Sequence, residues 1–193
     1  WLQKEVPNSI CQEAKCPNRG ECFEKGVLTF MILGTVCTRN CAFCSVRHGK
    51  PMPPDIGELN QILHSIHTLN LKFVVLTSPN RDDLSDGGAS HYATIVRRIH
   101  DEYSHVKVEV LIPDFQGNTQ DLDVVIASNP EVINHNLETV PELYKGIRKG
   151  SLYQRSLDVL RFIKQKNSRI LTKTGIMLGL GETHEQLLNV FKD

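Results

Sequence analysis

The sequence predicts an α/β fold, a partial (β/α) barrel preceded by a cysteine-bearing N-terminal extension. The first observation behind this is alternation. Strand-like apolar runs at 28–34, 72–77, 106–112, 131–136 and 169–178 are separated by segments of helical period. Parallel strands need crossover connections, and repeated strand–helix units supply them. The second observation is length. Repeated right-handed crossovers make either an open doubly wound sheet or the arc of a barrel. A full eight-unit barrel takes about 250 residues, so 193 residues suit five units and a barrel arc.

The elements follow in order. Residues 1–27 lack clear periodicity and hold half of the cysteines, so they read as an extension, with the barrel over 28–193. The run "LTFMILG" opens the barrel as its first strand. In 55–70, Ile56, Leu59, Ile62, Leu63, Ile66 and Leu69 recur at helical spacing and define one buried face. Asp55 with Glu58 three residues on reads as a capping box after Pro54. Ala89, Ala93, Val96, Ile99 and Tyr103 mark the next helix, over 89–103. Helices over 119–128 and 153–166 follow, and Thr183 with Gln186 opens a last one. The chain begins at Trp1 rather than methionine and stops at "LLNVFKD" inside a helical pattern without a stop signal. Truncation at both ends is the expectation.

Composition narrows the function classes. Hydrophobic content of 40% and charged content of 23% fit a globular protein with a sizeable core. Lys plus Arg and Asp plus Glu both number 22, so net charge gives no case for nucleic acid or an anionic membrane. No apolar run reaches the roughly 18 residues of a membrane span. No signal or transit peptide is in view. His64 and His67 flank Ile66 and read as a solvated edge rather than a metal pair.

All six cysteines fall in two short stretches, "CQEAKCPNRGEC" at 11–22 and "CTRNCAFC" at 37–44. Cysteines kept for packing would be scattered. The second stretch follows the first strand, at the carboxyl end of the sheet, where such folds place their chemistry. Three crowded thiolates repel, by about 4 kcal/mol per pair at ~4 Å and an effective dielectric of ~20. They stay protonated or a cation holds them. Disulfides would leave one thiol over in each stretch, and nothing marks a secreted protein. Zinc usually wants four ligands, and His48 would be the fourth for the second stretch. An iron–sulfur cubane on three cysteines leaves one iron open to a small molecule.

The pattern CxxxCxxC after the first strand of a βα arc, with Phe43 before the third cysteine, resembles the radical S-adenosylmethionine (SAM) superfamily. The likeness goes further. The Cx4Cx5C stretch, "FMILGTVCTRNCAFCSV", "VVLTSPNRDDLSDGGA", "LIPDFQG", "NHNLETVPELY" and "GIMLGLGET" resemble the lipoyl synthase family, in family order across nearly the whole chain. Pro79 stands where that family usually has valine, and Thr174 where it usually has serine.

The resemblance implies a radical SAM partial barrel with two 4Fe–4S clusters and SAM as cofactors. Cys37, Cys41 and Cys44 would hold the cluster that binds and cleaves SAM. Cys11, Cys16 and Cys22 would hold an auxiliary cluster that gives up its sulfide. The reaction implied is insertion of two sulfur atoms, at C6 and C8 of a protein-bound octanoyl-lysine. Catalysis would therefore rest on all six cysteines. The partner would be an octanoylated lipoyl carrier domain, of a 2-oxoacid dehydrogenase E2 or the glycine cleavage H protein. Ferredoxin or flavodoxin would supply electrons. No nucleic acid or membrane enters. The compartment would be the bacterial cytoplasm, or a mitochondrion or plastid in a eukaryote. The family also implies a sixth strand and a C-terminal Arg-Ser-Ser segment beyond residue 193. A different two-cluster radical SAM enzyme and a zinc-stabilised binding module are the competing readings.

SAM contacts are implied residue by residue, beside plainer readings. Asn136 and Glu138 would hydrogen-bond the ribose; alone they could brace a loop. Arg155 would meet the SAM carboxylate, as a fork of donors suits one, or be a surface residue of its helix. Met177 and Gly179, in "GIMLGLGE" of the fifth strand, would lie against the adenine. Asp86, Gly87 and Gly88 would position the SAM amino group, or form a turn before a helix.

Overall fold

The computed structural model describes residues 19–193. Cys11 and Cys16, with most of the predicted extension, lie outside the described residues. A short helix α1 (Arg19–Glu24) leads into β1 (Val27–Met31). Two short strands, β2 (Val36–Cys37) and β3 (Arg47–His48), bracket the cysteine loop and pair with each other. Then come α2 (Glu58–Leu69), β4 (Phe73–Thr77), α3 (Ala89–Glu102), β5 (Lys107–Leu111), α4 (Thr119–Ile126) and β6 (Val132–Asn134). The chain closes with α5 (Tyr144–Ile147), α6 (Tyr153–Lys166), β7 (Leu171–Lys173) and α7 (His184–Val190).

The main sheet has five strands in the order β1-β4-β5-β6-β7, and every pair is parallel. Each crossover steps to the next position in the same direction. A doubly wound sheet reverses its order at a switch point, and this one does not, so the sheet is a barrel arc. The register Met31↔Thr77↔Leu111↔Asn134 aligns the carboxyl ends of four strands along one edge. Leu28, Phe30, Val74, Leu76, Val108, Val110 and Ile133 are buried in one cluster with Ile62, Ile66, Ile95 and Ile99 of the helices. Each such side chain contributes about 1.5–3 kcal/mol on burial.

Gly88 at the start of α3 shows how tightly the first crossovers pack. Its φ is +92°, and a Cβ there would meet Leu33 Cδ1 at 2.3 Å. Among the described residues, no helix is long and apolar enough to cross a membrane.

Three sequence expectations are corrected. The capping box at Asp55 and Glu58 does not form. Gly57 occupies the N-cap, Asp55 accepts from Gly57 N, and the buried Glu58 carboxylate turns inward to Leu33 N (3.1 Å) and His91 Nε2 (2.7 Å). Long-range partners outcompete the local cap. Ile56, expected on the buried face, is 96% exposed because α2 begins only at Glu58. The fifth strand pairs only over Leu171–Lys173, so "GIMLGLGE" is loop rather than strand. At α7 the expected capping box is present, with Thr183 and Gln186 exchanging both bonds.

Candidate functional site

The carboxyl edge of the arc surrounds a cavity of about 280 Å³, at the small end of ligand pockets. Met31, Thr77 and Leu111 bring the ends of β1, β4 and β5 to it, and Asn136 and Glu138 follow β6. The cysteine loop forms one wall with Cys37, Cys41, Phe43 and Cys44. Pro79 and Asn80 also line it, so the family departure at Pro79 lies in the cavity wall. The departure at Thr174 keeps its hydroxyl function, accepting from Leu137 N at 3.1 Å.

The cysteine loop is fixed by bonds to several neighbouring segments. Thr38 donates from N and Oγ1 to Asn80 O, both at 3.0 Å. Ala42 N donates to Ile147 O at 2.8 Å, and Gly49 N to Cys37 O at 2.9 Å. Arg39, inside the loop, is a buried clamp. Its Nε and Nη2 fork onto Asp82 at 2.7 and 2.8 Å, Nη2 also reaches Asp114 at 2.7 Å, and Nη1 reaches Ser151 Oγ at 3.0 Å. Burial opposes the Arg39 charge, but the Asp82 and Asp114 carboxylates outweigh it and hold the guanidinium protonated. Burial likewise opposes the Asp114 carboxylate, and Arg39 overrides it, holding that group below its ordinary range.

Cys22, Cys37, Cys41 and Cys44 are all free thiols. Cys37 Sγ accepts from Arg39 N and Asn80 N, each at 3.3 Å. Two N–H groups aimed at one sulfur suit a metal-bound thiolate. Burial pushes the Cys41 thiol up, Arg148 opposes this, and Cys44 and Cys37 add to it. Among the described residues, no three His, Cys, Asp or Glu side chains converge on one point as a single ion asks. In a four-iron cubane each cysteine binds a different iron, so the sulfurs stand apart. His48 pairs with Cys37 across β2 and β3, but it is exposed and does not line the cavity. The donor set fits a three-cysteine cluster.

Asn136 and Glu138 are drawn together by their loop. Burial pushes the Glu138 carboxyl above its ordinary range, while neighbouring Asn136 and the Arg148 charge oppose the shift. Glu138 sits in the left-handed region at φ +68° and bridges Ile176, with Glu138 N on Gly175 O and Met177 N on Glu138 O, both at 2.9 Å. Strained backbone of this kind clusters at ligand sites. Gly175 has no room for a side chain, since a Cβ would lie 2.9 Å from Asn136 Oδ1.

Other predicted residues are placed elsewhere. Arg155 does not line this cavity; its Nη1 pairs with Asp114 Oδ2 at 3.2 Å. Met177 and Gly179 do not line it either. They follow the Glu138 bridge in a loop whose Gly179 and Leu180 N–H groups are held by the Glu182 carboxylate. Asp86 caps α3 through Gly88 N and Ser90 N, both at 2.9 Å, so Asp86, Gly87 and Gly88 form the helix-entry turn. Cys22 lies in α1 and is half-buried.

Sequence reading missed Arg148. It is 9% exposed, lines the cavity and donates from Nη1 to Tyr144 Oη and Ser156 Oγ, both at 2.9 Å. Ser156 also meets His135 Nε2 at 3.0 Å, and His135 Nδ1 lies 2.9 Å from Ile112 O. A carbonyl only accepts, so Nδ1 carries the proton and Nε2 accepts from the Ser156 hydroxyl. Burial first, and then Arg148, pushes the His135 pKa from 6.5 down to about 4. A neutral buried histidine destabilises the fold as the unfolded chain takes up protons, so stability is lost as pH falls from 6.5 towards about 4. Between pH 7 and 5 the loss should be about 2 kcal/mol in urea unfolding. The variant His135→Gln should lose that part of the slope; an unchanged slope would assign it to other groups.

The family model described as the radical SAM superfamily matches residues 31–193. The chain belongs to that superfamily. It is similar over 100% of its length to curated lipoyl synthases. Identity is 50% to that of Alkaliphilus metalliredigens, 46% to that of Methylobacillus flagellatus and 47% to that of Photobacterium profundum. The chain spans 66, 65 and 60% of those relatives' lengths, less than two thirds in each case. Among solved structures it is similar to methylornithine synthase, with a TM-score of 0.65 at 18% identity over 84% of this chain and 48% of that one. That likeness shows the fold, a parallel-sheet arc of the radical SAM type.

Proposed function

We propose that residues 28–193 form the radical-generating domain of a lipoyl synthase, and that residues 1–27 carry ligands of a second, sulfur-donating cluster. One observation carries the reading. Three free cysteines of a CxxxCxxC loop face the polar groups of Asn136 and Glu138 across one cavity at the carboxyl ends of parallel strands. The similarity to lipoyl synthases over the whole chain supports the particular reaction.

Cys37, Cys41 and Cys44 would hold a 4Fe–4S cluster, and Cys11, Cys16 and Cys22 the auxiliary one. With SAM bound, the first cluster supplies one-electron cleavage of the cofactor and hence a hydrogen-abstracting radical. This chain's residues bind and orient. Phe43 walls the cysteine side, Asn136 and Glu138 take the ribose hydroxyls, and the Met177–Gly179 loop, tied to Glu138, takes the adenine. Met31, Leu111 and Pro113 keep the remaining wall apolar and exclude water from the reacting carbon. The substrate would be an octanoylated lysine of a lipoyl carrier domain, of an E2 component or an H protein, with sulfur entering at C6 and C8. Ferredoxin or flavodoxin would donate electrons. The bacterial relatives support a cytoplasmic setting.

The test pairs an iron and acid-labile sulfide assay of anaerobically purified protein with turnover of an octanoylated carrier domain. Iron and sulfide in equal amount is the expected result, with lipoyl product, detected by mass, from the protein extended to the family's full C-terminus and none from this span alone. Zinc in place of iron would overturn the reading, and cleavage of SAM without sulfur insertion by the extended protein would leave a different radical SAM reaction. Glu138→Ala should weaken SAM binding roughly ten- to a hundredfold, the worth of a charged hydrogen bond, with iron content unchanged. Alanine pays the same left-handed backbone cost as glutamate, so the change reads the carboxylate. Unchanged affinity would make Glu138 a loop brace.

A further inference from the structure

We infer that Arg81 is a positioning residue for the cysteine loop: with Glu58 it locks the backbone of Leu33, and through that lock it keeps the Asn80 N–H on the Cys37 sulfur. The inference rests on reading CxxxCxxC as cluster ligands. It concerns residues behind the loop, since Leu33, Glu58 and Arg81 do not line the cavity. Leu33 and Gly34 lead from β1 towards Cys37, and both are left-handed, at φ +64° and +87°. Glycine takes that conformation freely, and a bulky leucine does not. Leu33 is held in it from three sides. Its N–H donates to Glu58 Oε2 at 3.1 Å, its carbonyl accepts from Arg81 Nη1 at 2.8 Å, and its side chain lies on Gly88, where a Cβ would come within 2.3 Å.

Backbone in an unfavoured region persists only where its surroundings over-determine it. The two side chains that do so here are 4 and 1% exposed. Each is itself fixed. His91 Nε2 lies 2.7 Å from the Glu58 carboxylate. Arg81 forks onto Asp83 with two bonds of 2.9 Å, and its Nη2 also reaches Met52 O at 3.1 Å. The residues beside Arg81 hold the other end of the same limb. Asn80 N donates to Cys37 Sγ at 3.3 Å, Asp82 N donates to Thr38 Oγ1 at 3.1 Å, and the Asp82 carboxylate takes the Arg39 fork. Residues 80–83 therefore grip the chain at Leu33 and again at 37–39, and Arg81 is the link between the two grips. An N–H aimed at a cluster thiolate stabilises the electron added on reduction, and such bonds set a cluster's potential. Cutting the Leu33 grip frees the limb to relax and draws Cys37 away from Asn80 N.

The experiment uses anaerobically reconstituted holoprotein. It measures the midpoint potential of the cluster whose spectrum responds to added SAM, with iron content and thermal stability beside it. Arg81→Met should lower the potential and keep the iron, because all three cysteines remain. Arg81→Lys keeps the charge and loses the fork, so its potential should fall between. Asp83→Asn loosens Arg81 from the solvent side, where Asp83 is 35% exposed. It should shift the potential the same way by less, and it carries the test if Arg81→Met does not fold. Val159→Ala, in the main core on α6, is the control. It should lower stability and leave the potential unchanged. A potential that stays at the wild-type value or rises in Arg81→Met and Asp83→Asn would make Arg81 a structural brace and overturn the inference. An equal fall in Val159→Ala would overturn it too, by tying the potential to stability at large. Failure of the wild type to take up iron would instead remove the proposed function itself.

Discussion

Replacing Cys41 by alanine is expected to abolish SAM cleavage while the loop around it stays folded. The loop does not depend on the Cys41 side chain. Its ties run through Thr38 to Asn80, Ala42 N to Ile147 O, Gly49 N to Cys37 O, and the Arg39 clamp. Among the described residues, Cys37, Cys41 and Cys44 are the thiols in the cavity wall, and no histidine lines it. Two thiolates do not hold a stable cubane that presents one open iron. The variant should therefore melt near the wild type in its metal-free form, lose about half of its iron if Cys11, Cys16 and Cys22 hold theirs, and make no 5′-deoxyadenosine with a strong reductant. Production at the wild-type rate by Cys41→Ala would sink the assignment of that cysteine.

What was legible in the sequence, and what was not, follows from how far each signal reaches along the chain. The strands were legible because runs such as "KFVVLT" are short, apolar and bounded, and the helix over 153–166 because its period is clean. The cysteine loop was legible because its ligands sit within eight residues. The fifth strand was read too long. The apolar letters of "GIML" look like strand, but after Lys173 the pairing shrinks to the single Glu138–Ile176 bridge, with Gly175 close against Asn136. Glu58 looked like half of a capping box, yet its partners Leu33 and His91 are 25 and 33 residues away. Arg148 carries no local mark at all. Its place in the cavity wall comes from burial, which is not written in the residues beside it. Arg39 did leave a trace, a cation placed between two cysteines, but Asp114 lies 75 residues on.

Arg39→Met should be among the most destabilising single changes outside the apolar core. Arg39 makes four hydrogen bonds, of which the one to Asp114 Oδ1 matters most, because the two side chains are 5 and 0% exposed. Removing one partner of a buried pair leaves the other charge in low dielectric and costs roughly 3–5 kcal/mol. Asp114 would keep Gln116 N and the longer contact to Arg155, which softens the loss. Asp82 is 31% exposed and regains water, so its two bonds add less. Methionine fills the stem's volume against Gly150, so packing is largely preserved and the change reads the charge. Denaturant unfolding of the metal-free protein should show the loss, and reconstituted protein should hold less iron, since the clamp fixes the chain between Cys37 and Cys41. Arg39→Lys should fall between, keeping the charge and losing the fork. In the double variant Arg39→Met with Asp114→Asn, part of the loss should return, because the stranded carboxylate is gone. An Arg39→Met protein within about 0.5 kcal/mol of the wild type would show that the network behaves as screened surface charge, and that the loop is held by its backbone bonds alone.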